Sequence, residues 1–304
     1  MFWKRKKSLK VVTHCGGFHA DDVFATATLF IVFGEDNIEV IRTRDPEIIK
    51  NANIVFDVGH IYDVEKNRFD HHQGGDDLMR KNGIPYASFG LVWKNFASRI
   101  IPHQEIIDAI DKNLVQPVDA GDNGVVIAKS LFDEITEYEI SDVIEAFNNT
   151  WKEKHYDLDK EFLNMVHFAK QLLEREIAHE SSKFEAYQIV QKIYNETSDK
   201  RIIILDHYYP WKNFITKCPE PLFVIAPYFE NYGVHAVPVE EKSFDTRVKM
   251  PVEWGGKEKE ELALASGIPD AIFCHKGRHF AVVETKEGAL EMAKKAIQAI
   301  DGSY

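Results

Sequence analysis

The sequence predicts a two-domain α/β protein, with an α/β/α domain on a mostly parallel sheet followed by a smaller α/β domain. Three observations predict it. Short β-branched runs alternate with helical stretches through the first half of the chain. A long, charged segment with helical periodicity comes next, over residues 157–195. Strand-rich texture then resumes near residue 200 and closes on a helix. Strands that alternate with helices are covered on both faces, which is the setting of a parallel sheet.

In chain order, KVVTH (10–14) reads as a short buried strand and DDVFATATLFIVF (21–33) as a mostly apolar helix. IEVIRT (38–43) and NIVFDVG (53–59) are further strands, rich in β-branched residues and bounded by polar turns. Helices follow at 88–98, 103–113 and 141–148. In 157–195, Phe162, Met165, Val166, Ala169, Leu172, Leu173 and Ile177 recur at helical spacing, which makes one or two helices leading out of the first domain. The polar NETSDK (195–200) marks the boundary, giving domains 1–198 and 199–304 with a helical connector at 157–198. Beyond it, RIIILDH (201–207), LFVIAPY (222–228) and VHAVPVE (234–240) are strands. DAIFCHKGRHFAVVE (270–284) is a hairpin turning at Lys276–Gly277, and EGALEMAKKAIQAI (287–300) is a closing helix.

The 304 residues suffice for about two domains. With 44% hydrophobic and 28% charged residues, the composition is that of a globular protein. No apolar run approaches the ~20 residues that span a bilayer. The basic MFWKRKKSLK lacks the apolar core of a signal peptide and reads as a solvated tail. Three scattered cysteines, Cys15, Cys218 and Cys274, argue for a reducing compartment without disulfides, so a cytoplasmic location is expected. The net charge of −12 argues against sequence-independent duplex binding but leaves nucleic-acid substrates open, because metal ions at a carboxylate-rich site reverse the local sign.

The candidate chemistry lies in four polar clusters. THCGGFHADD (13–22) places His14, His19, Asp21 and Asp22 between a strand and a helix. In open α/β sheets, ligands bind outside the carboxyl ends of the strands, where His14 stands. Asp57 ends another strand. RFDHHQGG (68–75) places Asp70, His71 and His72 before a Gly-Gly turn, and PVDAGDNG (117–124) places Asp119 and Asp122 in a glycine-rich loop. Each cluster alone can be a cap, a turn or polar surface. Together they supply what two divalent cations need in order to share a bridging carboxylate, activate water and attack a phosphate ester.

The order His…His-x-Asp, Asp, Asp-His-His, Asp resembles the DHH phosphoesterase superfamily, and within it the melanocyte-proliferating-gene (MYG) branch. The resemblance covers nearly the whole chain, through THCGGFHADDVFA, VIRTRDPE, FDVGHIYD, RFDHHQ, VDAGDNG, HAVPVE, RVKMPVEWGG and SGIPDAIFCHKGRHFAVVETKEGAL. It implies a dinuclear site in a cleft between the domains. One metal would use His14, His19 and Asp57. The other would use Asp21, Asp57, His71 and Asp119. His72 would act as donor or general acid, with Asp70 orienting a histidine ring. Asp22 and Asp122 are read as a helix cap and a turn residue. Most of the superfamily has an aspartate in place of His19; the neutral ligand favours manganese over magnesium, with zinc a further candidate. Cys15 is read as a bystander.

The resemblance also puts substrate binding on the second domain. Arg247, His275, Arg278 and His279 are its candidates, with Lys276 beside them and Trp254 or Phe244 available to stack on a base. The implied activity is metal-dependent 3′→5′ exonucleolytic hydrolysis of RNA or short oligonucleotides. The alternatives are a small-molecule phosphatase or pyrophosphatase with the same site, and a non-catalytic nucleotide- or metal-binding protein. A homodimer is compatible with the sequence; no obligate partner and no membrane association are readable.

Overall fold

The computed structural model describes residues 8–75 and 78–301, so the basic tail read at 1–7 lies outside the described residues. They form two compact units, divided between Ser181 and Ser182.

The first unit begins with β1 (Leu9–Thr13), α1 (Ala20–Phe33), β2 (Ile38–Arg42), α2 (Pro46–Asn51), β3 (Ile54–Phe56), β4 (Tyr62–Asp63) and β5 (Arg68–Phe69). The sheet order is β2-β1-β3-β5-β4, parallel throughout except for the edge pair of β4 and β5. Successive side chains of β1 serve opposite faces, as the strand period of two requires. Val11 joins Ile54, Phe56 and Phe69 in one core, while Val12 joins Val55 and Ala52 in another. Helix α1 is buried all round from Ala20 to Phe30, which explains its continuous apolar sequence. Its two central threonines bond back to carbonyls four residues earlier, Thr26 to Asp22 and Thr28 to Phe24.

Next come α3 (Ser88–Phe96), α4 (Gln104–Ile110), α5 (Gln116–Asp122), α6 (Ile140–Glu145) and α7 (Leu158–Glu196). Helices α4 and α5 are joined by one π-helical turn, Asp111–Val115, in which the Gln116 N–H donates five residues back to Asp111. That wider turn lies just ahead of Pro117, whose ring a regular α-helical turn accommodates poorly. The glycine-rich loop expected at 117–124 is therefore overturned. Asp119 and Asp122 stand on α5, which ends at Asp122 with Gly124 in the left-handed region (φ 67°). Helix α7 is a single helix, and the division between the units falls within it. Phe162, Val166, Ala169 and Leu173 on its first half are fully buried.

The second unit contains β6 (Ile202–Ile204), α8 (Lys212–Ile215), β7 (Phe223–Tyr228), β8 (Asn231–Ala236), α9 (Lys259–Ser266), β9 (Ala271–Cys274), β10 (Phe280–Val283) and α10 (Lys286–Asp301). Its sheet runs β6-β7-β8-β10-β9, with β6 and β7 parallel and the other pairs antiparallel. Helix α10 packs Ala289, Met292, Ala293 and Ala296 onto one face, at helical spacing. Trp211, Phe214 and Val190 cover part of the other. No helix among the described residues is long and apolar enough to cross a membrane.

His235 on β8 gives this unit a pH signature. Its ring lies 4.6 Å from that of Phe280, and its Nε2 is buried without a hydrogen-bond partner. Burial, then Lys212 and His279, lower its pKa to about 4. The unfolded chain takes up a proton near pH 6.5 that the folded unit refuses. Stability is therefore full above pH 6.5 and falls as the pH drops toward 4, by about 2 kcal/mol between pH 7 and 5. His235→Phe is expected to remove this component. Urea unfolding of both proteins at the two pH values checks it, and identical slopes would refute it.

Candidate metal centre

Three neighbouring parallel strands end in the candidate ligands. His14 follows β1, Asp57 follows β3, and Asp70, His71 and His72 follow β5. Parallel pairing brings these carboxyl ends to one edge of the sheet. Asp57 is the meeting point. Its backbone turns at once into the left-handed region (φ 55°), which aspartate tolerates better than most residues. Its carboxylate lies 3.1 Å from His14 Nε2, 3.9 Å from His71 Nδ1 and 3.8 Å from His72 Nδ1.

The start of α1 supplies the next layer. His19 occupies the N-cap position, and its N–H donates to Asp22 Oδ1 at 2.9 Å. The other Asp22 oxygen lies 3.2 Å from His14 Nε2, so Asp22 both caps the helix and orients a histidine. Burial alone would push His14 down, but Asp22 and Asp57 outweigh it and hold its pKa near 10. Asp21 is fully buried, and neither of its oxygens has a hydrogen-bond partner. Burial raises its pKa well above the carboxylate range, and Asp57, Asp122 and Asp22 raise it further.

Asp70 is also fully buried, but it is satisfied. It accepts from the His72 N–H (2.9 Å), from His72 Nδ1 (2.6 Å) and from the His60 N–H (2.7 Å). Burial would raise its pKa, and these bonds reverse the sign and lower it. The short bond to Nδ1 assigns the proton to that nitrogen, leaving His72 Nε2 outward on a half-exposed ring. The rings of His71 and His72 stack at 4.4 Å.

Helix α5 separates its two aspartates. Asp122 points to the centre, with Oδ2 at 3.0 Å from His71 Nε2. Burial opposes that contact, yet His71 prevails and the Asp122 pKa is lowered. Asp119 turns into the helix packing. One oxygen accepts from the Gly90 N–H at 3.0 Å, and the other lies 2.6 Å from Arg80 Nη2. Helix α3 begins after Ala87, which has no side-chain oxygen to cap it, so Asp119 serves that end from a second helix. Burial pushes the Asp119 pKa up to about 7 against the pull of Arg80. The structure thus brings together His14, His19, Asp21, Asp57 and His71, and joins Asp122 to them where the sequence reading had Asp119.

The candidates of the second unit have local partners. The guanidinium of Arg247 donates to the carbonyls of Thr216 (2.7 Å), Cys218 (2.6 Å) and Pro221 (2.9 Å), which ties its own segment to the loop between α8 and β7. His275, Arg278 and His279 form the tip between β9 and β10. The His275 and His279 rings lie 4.3 Å apart, and Arg278 is in the left-handed region (φ 61°) with Nη1 on the Met250 carbonyl. Burial, then His275, Lys212 and Lys249, lower the His279 pKa, which marks a positively charged neighbourhood. Trp254 is core, whereas Phe244 is fully exposed. Cys15 is a free, exposed thiol.

Among the described residues, three groups could hold a metal ion: His14, His19 and Asp57; Asp57, His71 and His72; and His19, Asp21 and Asp122. They share members, which is the arrangement of adjacent cation sites. The fit to a cation rests on the orphaned atoms. Both Asp21 oxygens are buried without a hydrogen-bond partner, and the carboxylates of Asp57, Asp122 and Asp22 act on them. Buried like charges of this kind require a cation or a proton. An oxygen- and imidazole-rich donor set suits a divalent transition metal.

A family model, MYG1_exonuc, described as an uncharacterised protein family (UPF0160), matches residues 10–297. The chain belongs to this MYG1 family. MYG1 relatives span almost its full length. A MYG1 protein of Dictyostelium discoideum is 31% identical over 95% of this chain and 96% of its own. One from Chlamydia muridarum is 32% identical over 92% and 94%. A mouse relative, named MYG1 exonuclease, is 28% identical over 95% and 84%.

Proposed function

We propose that this chain is a divalent-metal-dependent phosphodiesterase that shortens RNA or short oligonucleotides from the 3′ end. The carrying observation is Asp57, shared between two potential ligand groups at the carboxyl edge of a parallel sheet. The name of the mouse relative, an exonuclease, supports the same reaction class.

In this reading His14, His19 and Asp57 hold one cation, and Asp21, Asp57, His71 and Asp122 hold the other. Asp122 replaces Asp119, which is engaged by Arg80 and Gly90. Bound cations of this kind activate a water and neutralise charge on the phosphoryl oxygens. His19 and His71 are neutral donors among carboxylates, a mixture that favours manganese over magnesium. Asp22 aims His14, and Asp70 fixes the tautomer of His72. In its imidazolium form His72 keeps Nδ1–H on Asp70 and gives the Nε2 proton to the leaving oxygen. The basic tip of His275, Arg278 and His279 binds the substrate backbone.

The test begins with metal-free protein, assayed with manganese, magnesium, zinc or no metal. The substrates are RNA and DNA oligonucleotides labelled at the 5′ end, dinucleotides, pyrophosphate and 4-nitrophenyl phosphate esters. Manganese-dependent, stepwise shortening that retains the 5′ label is expected. Turnover confined to pyrophosphate or the small esters would overturn the exonuclease reading.

A further inference from the structure

A second cavity opens beside the metal-ligand cleft in the first unit, with a volume of about 660 Å³. The two are neighbours. Arg44 lines both, and the His60 ring, which lines the second, lies 5.8 Å from the ring of His72. The His60 N–H also donates to Asp70, so its place is tied to that of His72.

The lining divides by chemistry. Ile49 and Ile61 give it an apolar wall, and Arg44, Lys50 and His60 give it a cationic rim. Two further basic residues are already engaged. Lys66 pairs with Asp63 at 2.6 Å, and Arg68 donates to the carbonyls of Lys50, Ala52, Lys66 and Asn67. No carboxylate is among the described residues that line it. In a chain of net charge −12, such a surface selects an anion. An inorganic phosphate needs only the cations. An apolar wall of this size, joined to a phosphodiester centre, suits a flat aromatic group carried on that phosphate.

We propose that this cavity receives the nucleoside attached to the scissile phosphate, with its base against Ile49 and Ile61 and its phosphate toward Arg44. The proposal rests on the phosphodiesterase reading above and adds the subsite that recognises the terminal nucleotide. Arg44 spans the step between the two cavities and positions the phosphate; Lys50 faces the sugar-phosphate of the bound nucleotide.

The test is equilibrium binding to the manganese-loaded protein, with AMP, ribose 5-phosphate and inorganic phosphate as probes. AMP is expected to bind about tenfold more tightly than ribose 5-phosphate, the difference being the base. Ile61 is half exposed, so Ile61→Asn leaves the core intact and adds no charge to the cavity. That variant is expected to erase the preference for AMP while keeping the affinity for ribose 5-phosphate and the bound manganese. Equal affinities in the unaltered protein, or a preference that survives Ile61→Asn, would overturn the proposal. The two readings fail separately. Oligonucleotide cleavage without preference for AMP leaves the phosphodiesterase and removes the cavity. An Ile61-dependent preference for AMP without cleavage does the reverse.

Discussion

Asp57→Asn is expected to lower turnover by about a thousandfold, the several kcal/mol that cations supply to a phosphoryl transition state. Asparagine keeps the size of the side chain but removes the charge and one acceptor oxygen. Asp57 reaches His14, His71 and His72 at once, so its loss weakens two of the three groups of described residues that could hold a cation there. The effect is also legible without an assay. A saturating cation, at a thousand times its dissociation constant, stabilises the protein that binds it by about 4 kcal/mol. The unaltered chain is expected to gain that on titration with manganese and to lose it to a chelator, while Asp57→Asn gains little. Manganese content and cation-induced stabilisation that match the unaltered protein would remove Asp57 from the centre.

The second large effect separates the two aspartates of α5. Asp119→Ala is expected to cost about 3 kcal/mol in stability, because it leaves the buried Arg80 guanidinium and the Gly90 N–H without their shared partner. It should leave manganese binding in place. Asp122→Ala is expected to do the opposite, with a small loss of stability and a large loss of manganese, because Asp122 faces His71 from a partly exposed position. Urea unfolding and metal analysis of the two variants decide it. Loss of manganese in Asp119→Ala with the fold intact would return Asp119 to the ligand set. Gly90→Ala provides an independent check, since a methyl group there would overlap the Asp119 carboxylate.

Much of this was legible in the sequence, for definite reasons. The strand ends at His14 and Asp57 are visible because a β-branched run stops at a polar residue, whereas Asp70 follows a two-residue strand, Arg68–Phe69, too short to show a pattern. The long helix α7 announces itself by the spacing of Phe162, Val166, Ala169 and Leu173. Helix α5 does not. Pro117, Gly121 and Gly124 read as breakers, whereas the π turn ahead of Pro117 lets the helix continue to Asp122. A loop leaves the direction of Asp119 and Asp122 open; a helix sets them three residues apart, about 60° around its axis. Arg80 carries no mark in LMRKNG that it is buried, because its partners come from Asp111 and Asp119, far along the chain. Asp22 was readable as a cap, and its second oxygen on His14 became visible only once β1 and α1 were set beside each other.

The ligand-bearing ends belong to β1, β3 and β5, which are consecutive neighbours in their sheet. Adjacent strands stand about 4.8 Å apart, a distance set by backbone hydrogen bonds. Cations that cooperate on one phosphate stand about 4 Å apart. The sheet therefore acts as a ruler, and its gradations do not depend on which side chains line the surrounding loops. Changes in the loops can alter what is bound, but the spacing of the ligands is inherited from the main chain. A family built on this edge can change its substrates without having to rediscover the distance.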